Sequence, residues 1–398
     1  MMNQKKYRLT LVLGGLLLAA VILGIYFYPQ IKQKWEAPLG PGLELPTYTP
    51  TTVLVMATVQ ADTGRAASPT PDSPSENEIQ VQDIAADVTP SPVEPSSTPT
   101  PAVQPLCGGP EVMTLLAVGA DSGIDYLYGL SDVIRMVRVD FVTPKVTMLS
   151  MPRDLWVQLP EGIGKPGADP ILNSKLNQAY FYGSPGMGYY DGPGAGPGLL
   201  ARTLDLNFGL RADHYGAVNM QTFVKIVDAI GGIDIYLPTD VDGRPIDDKT
   251  EDMGYFYAGQ QHFNGDKALR FARVRKKYND FTRMDHQNMV MCAVREKLMT
   301  PQVLPKIPQI IASFNNSVLT DLSPEQISQL VCLLPQVKRE NLIFTSLPED
   351  ILKPGRVFSP IQKDEVFVMQ ADFDVIRDYA EKFMAGTWPT EPDEPTCP

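Results

Sequence analysis

The sequence of 398 residues contains only three histidines and four cysteines, and the common catalytic motifs are absent. It has no G-x-S-x-G elbow and no Walker A loop, and the histidines at 214, 262 and 286 are not spaced as metal ligands. No two cysteines form a C-x-x-C motif. The sequence therefore gives no support for covalent nucleophilic catalysis, for a P-loop, or for a metal or redox centre built on cysteine and histidine.

Positive charge is also scarce, because the chain has a formal net charge of −12 and a pI near 4.8. A general nucleic-acid-binding protein would show a broad basic surface instead, so we expect no nucleic-acid partner. The cations concentrate in ARVRKKYNDFTRMDHQ, residues 272–287, whose first six residues include four cations, Lys276 and Lys277 among them. This stretch is either a solvated charge run or a local site for an anion.

The first long apolar run, residues 9–28, contains no charged residue and has about the length that a helix needs to cross a bilayer. Basic residues precede it, which favours a cytoplasmic N-terminus over residues 1–8. A cleaved signal peptide is the alternative, but no A-x-A site follows the run. We therefore expect a single-pass anchor in the plasma membrane, with the remainder of the chain extracytoplasmic.

Residues 29–105 contain Pro/Ser/Thr tracts such as TPSPVEPSSTPTPAVQP and show no sustained apolar period. Such tracts cannot bury enough apolar surface to become ordered. We interpret this segment as a disordered linker, and residues 386–398 as a flexible tail.

Four cysteines suit an oxidising compartment outside the cytoplasm, where disulfides persist. They allow three pairings. We favour Cys107–Cys397, which brackets the folded region, together with Cys292–Cys332, which joins two neighbouring helices; some of the four could also be free buried thiols.

Between these segments the apolar periodicity predicts a mixed domain of strands and helices. The expected strands include residues 114–120, 131–141, 145–151 and 268–275. The expected helices include residues 197–207, 221–230, 282–298, 323–334 and 371–384. This alternation predicts a layered α/β/α domain with a central mixed sheet at residues 106–299. Residues 300–385 form either a helical extension of that domain or a small appended one.

Acidic residues occur at the ends of the expected strands, namely Asp121, Asp132 and Asp154. Loops at strand ends bind ligands in α/β sheets. Paired carboxylates with few histidines nearby suit Mg²⁺, which takes one or two protein oxygens and keeps several waters. The alternative is that each acid is a turn residue or a helix cap.

The cations support a phosphate ligand. Arg273 and Arg275 are two residues apart on an expected strand, so both would point to one face. Arg283 and Gln287 are four apart on an expected helix and would share a face, and Arg153 follows a distant strand. Converging arginines can hold phosphate in bidentate geometry, and a site with such acids and no nucleophile fits phosphoryl transfer.

Several blocks of the sequence resemble, in order and spacing, the LytR–CpsA–Psr family of bacterial cell-wall proteins over residues 112–299. The blocks are LLAVGADS, SDVIRMVRVD, VTMLSMPRDLWV, SKLNQAYFYG, HYGAVNMQTFVKIVDAIGGIDIYLP, FNGDKALRFARVRKK and NDFTRMDHQ. The resemblance implies an extracytoplasmic, Mg²⁺-dependent phosphotransferase. Such an enzyme moves a glycopolymer from a polyprenyl-pyrophosphate carrier to peptidoglycan.

The resemblance also assigns roles to residues. The expected catalytic residues are Asp121, Asp132, Arg153, Asp154, Arg273 and Arg275, with Asp121 and Asp132 as the metal ligands. The residues expected to line the pyrophosphate site are Lys175, Asp280, Arg283 and Gln287. Asp154 either orients Arg153 or acts as a base. Leu130 and Gly123 stand where the family often has arginine, which leaves the choice of glycopolymer and the efficiency open.

A polyprenyl tail needs an apolar slot between sheet and helices. The side chains that could line it are Phe223, Ile226, Val227, Met291 and Val294, although ordinary core is the alternative for each. Two other functions remain open: a polyprenyl-pyrophosphate hydrolase that uses water as acceptor, and a non-catalytic tether that binds lipid or glycan.

Overall fold

The computed structural model describes residues 28–46, 104–248, 250–275, 280–314 and 317–390, together with Cys397. The expected transmembrane helix lies outside these residues, apart from Tyr28, as does most of the expected linker. No helix within the described ranges is long and apolar enough to cross a membrane. Residues 28–36 are helical, and Leu43 is only 3% exposed in the main core. The first part of the expected linker is therefore not disordered: residues 28–36 form an exposed helix, and residues 39–46 contact the domain.

The domain is a mixture of strands and helices. The strands are β1 (Val112–Asp121), β2 (Leu130–Asp140), β3 (Lys145–Ser150), β4 (Trp156–Gln158), β5 (Asn173–Lys175), β6 (His214–Asn219), β7 (Ile233–Leu237), β8 (Val241–Asp242), β9 (Tyr255–Phe256), β10 (Gly259–Phe263), β11 (Val318–Thr320), β12 (Leu342–Ser346), β13 (Lys353–Ser359) and β14 (Asp364–Gln370). The longer helices are α1 (Leu176–Gly183), α2 (Ala195–Phe208), α3 (Met220–Ala229), α4 (Gly265–Arg273), α5 (Asp280–Leu298), α6 (Ile307–Ser313), α7 (Pro324–Leu333) and α8 (Phe373–Ala385).

The central sheet has six strands in the order β11-β6-β1-β2-β3-β12. β2 pairs antiparallel with β1 and β3, whereas β6 and β12 pair parallel with β1 and β3, so the sheet is mixed as predicted. The expected β2–β3 hairpin is present. β11 and β12 come from the segment after residue 300 and occupy the two edges of the sheet. That segment is therefore an integral part of the domain, and it contains the β13–β14 hairpin in addition to helices.

Alternation along the central strands divides the sheet into two faces. On one face, Leu116 and Val118 of β1 belong to the main core, which also includes Tyr180 of α1, Leu200 of α2 and Phe383 of α8. Residues of α3, α4 and α5 form a second core with β7 and β10. These three helices cover the opposite face of the sheet, because they and that face line the same cavity. The layers are helix, sheet and helix.

Residues 268–275 do not form the predicted strand. They belong to α4 and the residues that follow it, and the Asn264 side chain caps this helix by accepting a hydrogen bond from the Lys267 amide. Ala268 and Phe271 are buried three positions apart, which is a helical spacing. The prediction was wrong because a short run of alternating residues also fits a helix with one buried stripe.

The favoured disulfide pairing was also wrong. Cys107 pairs with Cys332, and Cys292 pairs with Cys397. The turn at 106–108 packs against α7, which carries Cys332, and the C-terminal Cys397 returns to α5. Sequence spacing carries no information about this spatial adjacency.

Candidate active site

One cleft runs between the sheet and the helices α3, α4 and α5. It consists of a cavity of about 630 Å³ and an adjoining cavity of about 370 Å³. The residues that border both cavities are Asp132, Val133, Arg135, Arg153, Arg275, Arg283 and Gln287. The junction of the two cavities is therefore strongly charged, and four of its residues are arginines.

The larger cavity is mainly apolar away from that junction. Its floor is the sheet face, including Ala117, Val137 and Gly216, and its roof includes Phe223 of α3 and Met291 of α5. A side chain added at Gly216 would meet nothing within 4 Å, so the space above this strand position is open. A volume of about 630 Å³ is within the usual range for small-ligand pockets.

A chain of ion pairs orients Arg153, which lies three residues after the end of β3. Its Nη1 donates a short hydrogen bond to Oδ1 of Asp132, and its Nε lies 3.4 Å from Oδ2 of Asp154. Oδ1 of Asp154 in turn accepts a hydrogen bond of 2.8 Å from Nζ of Lys175. Asp154 is buried between these two cations. These contacts favour an orienting role for Asp154 and place Lys175 behind it, outside the walls of both cavities.

Asp121 ends β1 opposite Leu130, and Asp132 lies two residues further along β2, at a bulge where the register with β1 shifts. Both border the larger cavity. Gly129, between them, has φ of +138°, and a Cβ there would lie 2.3 Å from the Asp121 carbonyl oxygen, so the close approach requires glycine. Tyr126 fixes the same loop, since its hydroxyl donates to the Ser317 carbonyl at 2.7 Å and accepts from the Asn219 amide at 2.9 Å.

These two carboxylates fit Mg²⁺ only if other ligands complete the site. Among the described residues, no group of three or more His, Cys, Asp and Glu is placed to hold a metal ion. Arg153 donates to Oδ1 of Asp132. Because Mg²⁺ usually takes one or two carboxylates together with water and phosphate oxygens, the pair suits a metal shared with a phosphorylated ligand.

The other predicted cations reach the cleft from α4 and α5. Arg275 follows α4, while Arg283 and Gln287 lie one turn apart on α5, and all three border both cavities. Arg273 ends α4 and forms a bidentate pair with Glu251, at 3.2 and 2.8 Å. Arg273 and Arg275 thus reach one cleft from the end of a helix, and not from the predicted strand.

Some of the predicted site residues lie away from the cleft, and others fall outside the described residues. Of the five expected lipid-pocket residues, Phe223 and Met291 border the larger cavity, while Val227 and Val294 pack in the second core and Ile226 does not reach the cavity wall. Asp280 begins α5, but its side chain is not among the described parts. Lys276 and Lys277 also fall outside the described residues.

Arg135 was missed by the sequence reasoning. It lies in the middle of β2 and borders both cavities, and burial lowers the pKa of its guanidinium to about 10. A basic residue inside the apolar run VIRMV was the available signal, because a strand that is buried on both faces normally excludes charge. Leu130 and Gly123 supply no cation to the cleft, whereas Arg135 does.

The fold and the cleft define a class of protein: a layered α/β/α domain in which arginines and two carboxylates border the charged end of an apolar cavity. Comparison with known families gives the particular assignment. The LytR_cpsA_psr family model matches residues 91–373, well over half of the chain, so the chain belongs to that family.

Curated relatives carry two kinds of name. TagV of Bacillus subtilis (strain 168), a polyisoprenyl-teichoic acid–peptidoglycan teichoic acid transferase, is 30% identical over 196 residues, which cover 49% of this chain and 45% of TagV. TagU of Oceanobacillus iheyensis, another such transferase, is 31% identical over 224 residues, 56% and 62% of the two chains. MsrR of Staphylococcus aureus (strain COL), named a regulatory protein, is 27% identical over 219 residues, 54% and 58%. The chain thus matches between 45% and 62% of the length of these relatives.

Solved structures confirm the mixed α/β fold with a central mixed sheet. The crystal structure of B. subtilis TagV matches with a TM-score of 0.51 at 23% identity, covering 69% of this chain and 98% of that one. The structure of TagT bound to LIIa-WTA matches with a TM-score of 0.51 at 17% identity, covering 71% and 96%. At these identities the likeness concerns the fold alone.

Proposed function

We propose that this protein is a membrane-anchored, extracytoplasmic phosphotransferase that attaches a glycopolymer from a polyprenyl-pyrophosphate carrier to peptidoglycan. The observation that carries the proposal is the cleft, in which a charged junction rich in arginine opens into an apolar cavity. A ligand with one strongly anionic and one long apolar part matches both surfaces. Two of the relatives are named for a transfer between a polyisoprenyl-linked polymer and peptidoglycan, which supports the same reaction class.

The proposed reaction is an in-line displacement at phosphorus. A peptidoglycan hydroxyl oxygen bonds to the sugar-side phosphorus while the bond from that phosphorus to the bridging oxygen breaks. The polyprenyl phosphate leaves with that electron pair, and the hydroxyl proton passes to it. The product is a phosphodiester between glycopolymer and peptidoglycan, and no oxidant or further cofactor is consumed.

The chain's own residues would position and neutralise charge in this reaction. Arg275 and Arg283 border both cavities, where guanidinium groups stabilise negative charge that develops on the pyrophosphate. Arg153 is held in place by Asp132 and Asp154. Mg²⁺, bound through Asp121 and Asp132, would supply Lewis-acid stabilisation of the leaving phosphate.

Two observations support an extracytoplasmic location with a membrane anchor. Both disulfides, Cys107–Cys332 and Cys292–Cys397, suit an oxidising compartment. The uncharged run at residues 9–28 has the length of a membrane-spanning helix. An anchor would also keep the domain next to a lipid-borne substrate.

The test is transfer by the full-length protein in detergent micelles. A labelled disaccharide on a polyprenyl pyrophosphate is incubated with peptidoglycan sacculi, with Mg²⁺ or with a chelator. We expect label in the sacculi only with Mg²⁺, and we expect Asp132→Asn to lower the rate by at least about 100-fold. Asp378→Asn is the matched control, since Asp378 is an exposed carboxylate on α8 that pairs with Lys382. No transfer by the wild type, beside a related enzyme that is active, would refute the proposal.

The hydrolase is the second candidate, because the same cleft could bind water in place of the acceptor. It predicts labelled sugar phosphate in solution without sacculi. A tether predicts bound lipid without any turnover.

A further inference from the structure

Arg135 is the most unusual charged residue of the domain. Its side chain is on β2 between Val133 and Val137 on the cleft face, and only 3% of the residue is exposed. Neither terminal nitrogen of its guanidinium has a hydrogen-bond partner among the described residues. A buried cation with unsatisfied donors is unfavourable, so such groups are normally paired.

The surroundings of Arg135 in the described structure contain no carboxylate partner. The other described charged groups of the junction have their own contacts, since Asp132 accepts from Arg153 and Asp154 lies between Arg153 and Lys175. The Arg135 guanidinium lies over the Phe344 ring on β12, whose centroid is 5.5 Å away. A ring face satisfies part of the charge but none of the N–H donors.

The position of Arg135 shows where an anion could reach it. It borders both cavities, together with Arg153, Arg275 and Arg283. The two terminal nitrogens are themselves buried and have no hydrogen-bond partner among the described residues. A phosphate placed at this junction would pair with this planar fork of donors once the guanidinium turns toward the cavity. A carboxylate or phosphate is the group that matches such a fork in pairs of hydrogen bonds.

We propose that Arg135 is an additional anion-binding residue, which holds a phosphoryl group of a prenyl pyrophosphate at the junction of the two cavities. This inference rests on the proposed function, because it assumes that the apolar cavity takes the prenyl chain. It makes Arg135 a determinant of specificity: the site selects a ligand that carries charge next to its apolar chain and disfavours a neutral prenyl alcohol.

A purely structural role for Arg135 gives the opposite expectation for stability. If the charge serves to bind a ligand, its burial destabilises the ligand-free protein. Arg135→Met then raises the melting temperature, because it removes the buried charge. If the guanidinium stabilises the fold, the same substitution lowers it. The melting temperature without ligand therefore separates the two roles independently of binding.

The experiment measures binding by the full-length protein in detergent micelles, using geranylgeranyl pyrophosphate, inorganic pyrophosphate and geranylgeraniol as probes. We expect Arg135→Met to weaken binding of both pyrophosphates by about 10- to 100-fold and to leave geranylgeraniol unchanged. Arg135→Lys keeps the charge without the fork and should give an intermediate loss. The control is Arg339→Met, which removes an exposed arginine and should change nothing.

Unchanged pyrophosphate affinity in Arg135→Met, or an equal loss for geranylgeraniol, overturns the inference. If Arg135→Met does not fold, Arg135→Gln provides the same comparison. If neither variant folds, Arg135 is required for the fold, and the inference is overturned. The inference and the proposed function fail separately. Arg135-dependent pyrophosphate binding without transfer to peptidoglycan upholds the former alone, and transfer with Arg135-independent binding upholds the latter alone.

Discussion

Asp154 carries the ion pairs that set the direction of Arg153. Because it is buried between Arg153 and Lys175, Asp154→Asn leaves both cations with a neutral partner of the same shape. We expect a loss of about 1–3 kcal/mol in unfolding free energy and a fall of about 10- to 100-fold in kcat for transfer, with little change in KM. Denaturant unfolding and initial rates measure these effects. Asp266→Asn, which breaks an exposed pair with Arg270, is the control, and an equal effect there would contradict the orienting role.

His286 makes the stability of the domain depend on pH. Burial lowers the pKa of this imidazole from 6.5 to about 4, and its ring packs 4.6 Å from that of Phe271. Between these values the unfolded chain binds a proton that the folded protein does not, so stability decreases as the pH falls. Between pH 7 and pH 5, we expect the free energy of unfolding to fall by about 2 kcal/mol less in His286→Phe than in the wild type.

Chemical denaturation at both pH values measures this difference. The control is His262→Phe, because His262 is an exposed imidazole on β10. The assignment fails if His286→Phe has the same pH slope as the wild type.

Among single residues, the sequence correctly indicated those whose position in the cleft follows from neighbours close along the chain. Arg283 and Gln287 were placed on one helix face by their spacing, and both border the cleft. The acids Asp121 and Asp132 were placed by strand ends, and both border the larger cavity. Glu251 could not be found in this way, because its pair with Arg273 joins segments that are distant in sequence. The run VIRMV marked Arg135 as unusual, but its place in the cleft depends on the tertiary fold.

Strand β6 limits what the larger cavity can hold. Gly216 faces that cavity, and a Cβ there would meet nothing within 4 Å. Gly216→Leu should therefore be accommodated in the fold while filling space needed by an apolar chain. We expect it to weaken geranylgeranyl pyrophosphate binding by about 10-fold or more and to leave inorganic pyrophosphate unchanged.

Calorimetric titration of both probes provides the measurement. Gly216→Ala is the matched control, since one methyl group removes little volume. Equal affinity of Gly216→Leu and the wild type for the prenyl probe would show that the chain does not bind above β6.

Helix α4 illustrates why elements were predicted unevenly. The strands β1 to β3 were predicted well, because each is bounded by turn residues and contributes buried residues to the core. The run ALRFAR was ambiguous, because both periods fit six residues, and the Asn264 cap that decides the matter lies outside the run. Local pattern is sufficient for long regular elements and insufficient for short ones near the site.

At the scale of the whole molecule, the two disulfides join segments that are far apart in the sequence. Cys107–Cys332 spans 225 residues of sequence and Cys292–Cys397 spans 105. A bridge that closes such a long loop restricts the unfolded chain. We therefore expect removal of either bridge, by a pair of Cys→Ala substitutions, to lower the free energy of unfolding by about 2–5 kcal/mol. Guanidinium unfolding of each double variant, with the reduced wild type for comparison, measures this.

The two bridges should differ in their effect on the cleft. Cys292 lies on α5, the helix that carries Arg283 and Gln287, so its loss should also weaken pyrophosphate binding. The Cys107–Cys332 bridge joins α7 to the turn at residues 106–108, so the variant without it serves as the comparison. Equal binding by the two variants would argue against a role of the second bridge in positioning α5.

The layered architecture could be predicted from alternating strands and helices, but the assembly of distant segments could not. β11 and β12 complete both edges of the sheet from beyond residue 300, and Leu43 enters the main core from the other end of the chain. Each of these contacts is specified by shape and burial over long sequence separations. For the same reason the disulfide pairing was mispredicted.

The most direct test of the account follows the phosphorus atoms. A polyprenyl-pyrophosphate glycan with its sugar-side phosphate isotopically labelled is incubated with the full-length protein, Mg²⁺ and sacculi, and the products are separated. We expect the labelled phosphate in a phosphodiester on peptidoglycan, with an equal amount of unlabelled polyprenyl monophosphate released. Labelled phosphate that appears only as soluble sugar phosphate, or remains on the lipid, would contradict the account.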